Sequence, residues 1–439
     1  MAIPKLALIP ASQGTSLYSV LPSNGVGDFT FTRAGSATRI NSQGLIETVA
    51  SGVSRLNYPL IDGVVNGCPS HLLEPQRLQL IQYSEDFSQG WTAPNIVIGS
   101  ASSISPNGSL SAFNIKSNSI SGGKYIYDDN SVSASTTYTL SGFFKKKTHN
   151  FASLLINQRT SASGYIGQLA VNIDLVNGVI DTENFATAPT LINSKIENYG
   201  NGWYRVVLTA TTSSTAAIIR SCVGLAGSTS SFEYFGTVSD EVYAFGIQLE
   251  QGSYPTSYIP NYGTAAGVTR SAETANGAGD ASTFNDSEGV LFAEISALDN
   301  STVERIAISD GSNDNRVYFT KTGIANELRF AIVDGSISQA SITKVVNDNT
   351  SMHKIAGKYK ANDVAFWING FEVGTDTNAT MPSGLDELAF DSGSGSLDFY
   401  GNTKQIQYYD SALTDSELET LTSWVSFTDM ANGQQFTIE

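Results

Sequence analysis

Val364-Ala365-Phe366-Trp367-Ile368-Asn369-Gly370 alternates large apolar side chains and then stops at Asn-Gly. Val364, Phe366 and Ile368 share one face of an extended strand by period two, and Asn-Gly is the residue pair that a tight hairpin turn demands. The segment is therefore a hairpin arm, with Trp367 in opposite phase to the trio. If the trio faces a core, the indole faces outward.

The same grammar extends in both directions. Thr136-Thr137-Tyr138-Thr139-Leu140 and Tyr204-Arg205-Val206-Val207-Leu208-Thr209 are short Val/Ile/Tyr/Thr runs bounded by Gly, Asn, Asp and Ser, as antiparallel sandwiches require. One stretch breaks the pattern. Thr414-Asp415-Ser416-Glu417-Leu418-Glu419-Thr420-Leu421 places Thr414 as an N-cap with Glu417 three residues on, a capping box that opens a short helix burying Leu418 and Leu421. No internal repeat supports a solenoid. The fold class is all-β: an extended N-terminal attachment segment followed by two antiparallel β-sandwich (jelly-roll) domains. Composition places the boundaries at 1–84 for the leader, 85–262 for the first sandwich, 263–286 for an Ala/Gly/Thr-rich linker and 287–439 for the second sandwich. The leader, broken by Pro59, Gly63, Gly67, Pro69 and Pro75, has too few apolar runs for its own core and is expected to gain order against another domain or another subunit.

The 439 residues carry a net charge of −17, with no basic cluster larger than Lys145-Lys146-Lys147. Binding phosphates depends on cations, so nucleic acid and anionic membrane are disfavoured partners. Pro4, Lys5 and Pro10 interrupt the start before a signal-peptide apolar region forms, and no run is long enough for a membrane-spanning helix. Two cysteines and three histidines give no disulfide framework and no Cys/His metal site; Cys68 and Cys222 read as small hydrophobes. No cofactor is expected.

Three sets of motifs carry a resemblance. In the leader these are Asp28-Phe29-Thr30-Phe31-Thr32-Arg33-Ala34-Gly35-Ser36-Ala37-Thr38-Arg39, Arg55-Leu56-Asn57-Tyr58-Pro59, Leu72-Leu73-Glu74-Pro75-Gln76-Arg77 and Tyr83-Ser84-Glu85-Asp86-Phe87. The leader resembles that of bacteriophage virion proteins, head-spike or head-fibre and tail-fibre components, departing from the common form at Leu78-Gln79-Leu80. Asn201-Gly202-Trp203-Tyr204-Arg205, Phe245 to Pro260 and Val268-Thr269-Arg270-Ser271-Ala272 are similar to the ends of a carbohydrate-binding-module-like jelly roll in those proteins. Gly289-Val290-Leu291-Phe292-Ala293-Glu294-Ile295, Ile368-Asn369-Gly370 and Tyr408 to Leu418 resemble the concanavalin A-like lectin/glucanase (laminin-G-like) fold.

The resemblance implies a structural virion protein, located on the particle and released by lysis. Its leader would contact other virion proteins, its copies would form a homotrimer, and its sandwiches would be displayed toward host-surface glycan. Fold alone does not establish sugar binding. Sugar recognition needs aromatic faces with amides and carboxylates nearby. Trp91, Tyr125, Tyr127, Trp203, Tyr204 and Trp367 are the large candidates, and Trp367, Trp203 and Tyr125 are chosen as carbohydrate-binding residues. No catalytic residue is assigned. Glu387 and Asp391 share a strand face but lack the spacing of a glucanase acid pair, and no His lies in a triad context. Asp310 to Asn315 and Asp128-Asp129-Asn130 read as Asx-rich turns rather than calcium loops, and the metal question stays open. The alternatives are a tail-associated glycan depolymerase, a glycoside hydrolase, and a bacterial surface lectin.

Overall fold

The computed structural model describes residues 2–118, 121–184, 188–300 and 302–433. Strands dominate it, all paired antiparallel within the named sheets, and the two helices, α1 (Asp415–Thr422) and α2 (Phe427–Gly433), lie at the C-terminal end.

The middle sandwich stacks two sheets. One runs Ile96–Ile104, Leu110–Ser117, Glu241–Gln251, Thr137–Lys146, Trp203–Thr211, Thr190–Asn198. The other runs Val179–Asn184, Tyr165–Asp174, Phe151–Arg159, Ile218–Leu225, Ser121–Ser131, Glu233–Phe235. Alternate residues of both, among them Leu140, Leu154, Ile156, Val171, Val206, Leu208 and Val223, are fully buried between them. Period-two patterning places them there, because each strand offers one face to the partner sheet.

The C-terminal sandwich opposes a sheet of Ile337–Val345, Glu327–Asp334, Arg316–Lys321, Glu304–Ser309 and Glu387–Ala389 to a larger one. In the larger sheet Phe371–Asp376, Val364–Ile368, His353–Lys360, Glu288–Ala297 and Gly401–Tyr409 are consecutive neighbours. The Asn369-Gly370 turn forms as expected, both residues at positive φ (51° and 86°). The capping box forms too: Glu417 N donates to the Thr414 hydroxyl and the Glu417 carboxylate accepts from Thr414 N at 3.1 Å.

The larger sheet does not end with its own domain. Leader strands Leu6–Leu8 and Ser70–Leu73 both pair with Gly401–Tyr409, and Ser19–Leu21 extends the edge. Leu6, Leu8, Leu17, Phe29, Phe31 and Leu73 belong to the C-terminal core. Of the two ways the leader was expected to gain order, the described chain uses the first: it is built into another domain of the same chain. Its extended strands do not stand apart, because their apolar residues share one core with residues 287–433.

Segment 263–286 also differs from the linker expected there. Val268–Arg270 pairs with Arg77–Gln79, and Thr274–Asn276 pairs with Phe29–Thr32. Its alanines look like linker composition, yet Ala275 and Ala278 are fully buried in the C-terminal core, where only a small side chain fits between strands.

At this three-way junction the leader and exit motifs meet in one buried ion cluster. Glu273 accepts from Arg33 (2.6 Å) and from Arg55 through both carboxylate oxygens (Nε at 2.9 Å; Nη2 closer). Glu74 accepts from Arg55 (2.8 Å), Arg270 (2.6 Å) and the backbone N–H of Ser257 (2.7 Å). Burial would raise the Glu74 carboxyl, but Arg270 and Arg55 outweigh it and hold it down at about 2.

His71, beside this junction on Ser70–Leu73, is buried with neither ring nitrogen hydrogen-bonded among the described residues. Burial lowers its pKa to about 4. The folded value lies below the unfolded one, so the unfolded chain takes up the proton first and stability falls as pH drops from about 6.5 to 4. The expected loss is ~3 kcal/mol. Glu304, raised to about 7 chiefly by burial, acts oppositely and costs stability as pH rises from about 4.5. The measurement is therefore a difference: urea midpoints at pH 7 and pH 5 should fall more for the natural chain than for His71→Leu, and equal falls would contradict it.

Candidate functional site

Two of the three chosen residues are core. Trp203 is 2% exposed, packed with Phe143, Phe245 and Tyr258 and with Ile46 of the leader, and its Nε1–H donates to the Ile104 carbonyl at 3.0 Å. Trp367 does point away from Val364, Phe366 and Ile368, which face the C-terminal core. Its indole is nevertheless 7% exposed, because Leu413 and Leu418 close over that side of the sheet. Alternation fixes which side a residue takes; it says nothing of what covers that side. Neither tryptophan is available to a ligand.

Tyr125 leads elsewhere. It lies on Ser121–Ser131 opposite in phase to Ile126, so it stands on the outer face of its sheet. Register places a row across that face: Asn172 opposite Ser153, Ser153 opposite Gly224, and Gly224 opposite Tyr125. The next row is Ala170, Leu155, Cys222 and Tyr127; the third is Gln168, Asn157, Arg220 and Asp129. The middle row is apolar and forms one cluster with Phe232, Tyr125 and Tyr127. Phe232 stacks on Tyr125 with centroids 5.7 Å apart and sits where a Cβ on Gly123 would come within 2.8 Å of its ring.

The flanking rows are polar and underused. Asn172 is 0% exposed, and neither atom of its amide has a hydrogen-bond partner among the described residues. The Ser153 hydroxyl and the Asn157 carbonyl oxygen are likewise buried and unpartnered, although Asn157 Nδ2 donates to Gln168 at 2.9 Å. Buried polar groups in native proteins are overwhelmingly hydrogen-bonded, and each one left alone costs about 1–3 kcal/mol. Three such groups lie under this face, all closed to solvent.

The rim is half-buried: Tyr125, Tyr127, Gln168, Arg159 and Arg220. Arg220 lies 3.6 Å over the Tyr127 ring and grips Asp129 with two bonds of 2.7 Å, which fixes both side chains. Arg159 donates to the Ser163 carbonyl while its Nε stays unpartnered. Burial pushes the Cys222 thiol far up, so it is an inert wall. Amides, hydroxyls, guanidinium and aromatic faces can hold a hydroxyl-rich ligand.

The remaining sequence candidates satisfy themselves. The Asp310 carboxylate accepts from Ser312 N (3.0 Å) and Asn315 Nδ2 (2.8 Å), an Asx-type turn. Asp128 accepts from Asn130 at 3.0 Å. Asp391 accepts from Gly393 N at 2.5 Å, and Glu387 is raised by burial, then by Asp391 and Asp386. Cys68 is exposed and Cys222 buried, both free.

No protein-family model and no curated protein matches the chain. Among solved structures it is similar to the CBM40 module of a Ruminococcus gnavus IT-sialidase bound to α2,3-sialyllactose: 16% identity, 34% of this chain, 88% of that one, TM-score 0.29. It is similar to mouse laminin α1 domains LG4-5 at 10% identity, 68% of this chain and 92% of that one, TM-score 0.22. Trypanosoma rangeli sialidase aligns at 10% identity over 74% of this chain and 62% of that one, TM-score 0.28. Likenesses at these TM-scores assign the chain no family and no ligand.

Proposed function

We propose that this chain is a non-enzymatic display protein of a bacteriophage particle, a head fibre, head spike or tail fibre, that contacts host-surface glycan through the outer sheet face bearing Tyr125. The observation that carries the glycan reading is the half-buried rim on which the Tyr125 and Tyr127 rings stand beside Gln168, Arg159 and Arg220. A sugar offers C–H faces to the rings and hydroxyls, which both donate and accept, to the amide and the guanidinium groups. The leader's resemblance supports the particle context. Its exposed Ile3, Val20 and Val64 suit contact with other particle proteins or with sister copies in a homotrimer.

Tyr127→Ala separates function from architecture. Removing this half-buried ring should leave the chain folded while weakening the glycan-array signal about tenfold, the worth of one aromatic contact. An unchanged signal in a folded Tyr127→Ala chain would sink the face as the site, and background signal from the natural chain would sink the glycan reading itself. Incubation should leave capsular polysaccharide viscosity unchanged; a fall would favour the depolymerase alternative. Antibody labelling of particles should place the chain on head or tail, and its absence from purified particles would remove the virion assignment.

A further inference from the structure

The second sandwich carries an open groove that the reading above does not use. Ile337–Val345 and Phe371–Asp376 are the last strands of their two sheets and lie side by side. Between them, the 346–351 loop and α2, they enclose a groove of about 610 Å³. Ligand pockets commonly span about 300–1,000 Å³.

Two aromatic rings form its walls. Phe371 is 76% exposed at the mouth. Trp424, also in the lining, is held in place: the Lys354 ammonium lies 4.6 Å from its ring centroid, and Gly433 leaves room where a Cβ would fall 2.5 Å from the ring. Gly433 is itself anchored, its carbonyl accepting from Met352 N at 3.0 Å. The Trp424 Nε1–H is buried without a partner among the described residues.

The polar lining falls into two sets. His353 and Asn369 are committed to each other, Asn369 Nδ2 to His353 Nδ1 at 2.9 Å, with Asn369 also accepting from Lys354 N. The side chains of Lys344, Asn347 and Glu372 line the groove and make no hydrogen bond or ion pair among the described residues. Lys344 and Glu372 cancel in charge, Asp348 adds a carboxylate that accepts from Thr350, and Lys354 is shared with Asp429 at 4.0 Å.

We infer that this groove is a second binding site and that it takes a neutral sugar unit. An anionic ligand would meet the carboxylates of Asp348 and Glu372, and a cationic one the ammonium of Lys344 and, beside Trp424, that of Lys354. A wholly apolar segment would strip water from Asn347 and Glu372 and return nothing. A pyranose ring offers apolar C–H faces to Phe371 and Trp424 and hydroxyls to the Asn347 amide, the Glu372 carboxylate and the Lys344 ammonium. The site lies on a different domain from the Tyr125 face and stands without it.

The full chain reports on itself, since Trp203 and Trp367 are buried and Trp91 donates to the Tyr83 carbonyl. Titration with glucose, galactose, N-acetylglucosamine and their β-linked disaccharides should shift tryptophan emission and give saturation-transfer NMR signal for at least one sugar. Trp424→Phe should abolish the emission shift. Phe371→Ala, harmless to folding at so exposed a position, should weaken binding about tenfold, the worth of one aromatic contact. Tyr127→Ala, on the other domain, should leave the emission shift intact, which keeps the two sites distinguishable. Silence with every neutral sugar, a response unchanged in Phe371→Ala, or quenching of Trp424 by an extended apolar peptide alone would each overturn the inference.

Discussion

Glu273→Ala should destabilise the chain by about 3–5 kcal/mol, the penalty for leaving buried charges without their counter-ion. Arg33 and Arg55 both end on this carboxylate with side chains wholly out of water, so neither recovers solvation when it is removed. Glu74 N also loses its acceptor, which sits at 2.9 Å. Urea unfolding followed by circular dichroism measures the effect. Glu273→Gln, which keeps the shape and loses the charge, should fall between the two. A midpoint within error of the natural chain would mean that water reaches the cluster and that the junction is not held by ions.

A chain beginning at Ser287 should fail to melt cooperatively. It would lack Leu6, Leu8, Leu17, Phe29, Phe31 and Leu73, all buried in the C-terminal core. At about 2 kcal/mol for each side chain the loss is on the order of 10 kcal/mol. Net stabilities run at about 5–15 kcal/mol, so little or nothing remains. The Gly401–Tyr409 strand would also lose the partners along one edge and become a template for aggregation. Calorimetry gives the answer: a sharp, reversible transition in that fragment would show that the leader merely decorates a self-sufficient domain. Adding residues 1–84 as a separate chain should restore the transition in part.

Local chemistry made much of the architecture readable before any coordinates. The Asn369-Gly370 turn, the Thr414–Glu417 capping box and the alternating strands each depend on residues close in sequence, and each forms as written. Arg33, Arg55, Glu74 and Arg270 were visible as motif residues, but their meeting place was not. Arg33 and Glu273 are 240 positions apart, and nothing in either neighbourhood names the other. Glu273 itself lies one residue beyond the Val268 to Ala272 motif. Trp203 and Trp367 show the limit of periodicity, since a sheet face free by alternation was covered by the leader in one case and by the segment around Leu418 in the other. The polar row of the candidate face was hidden differently. Ser153, Asn157 and Asn172 look like solvent positions in their own strands, and only register brings them together. Trp424 carried no alternation and no helical spacing, so no pattern singled it out.

Pairing between Leu6 and Tyr408 joins strands about 400 positions apart in the chain. A ribosome emits about 5–20 residues per second, so roughly 20–80 seconds separate the emergence of these two partners. Throughout that interval the early segment holds sticky side chains for which no mate has yet been made. The middle sandwich, whose pairings lie within its own span, can mature first and act as a spacer. Nascent copies are therefore exposed to one another until Tyr408 has emerged, and this protein should depend on chaperones through that interval.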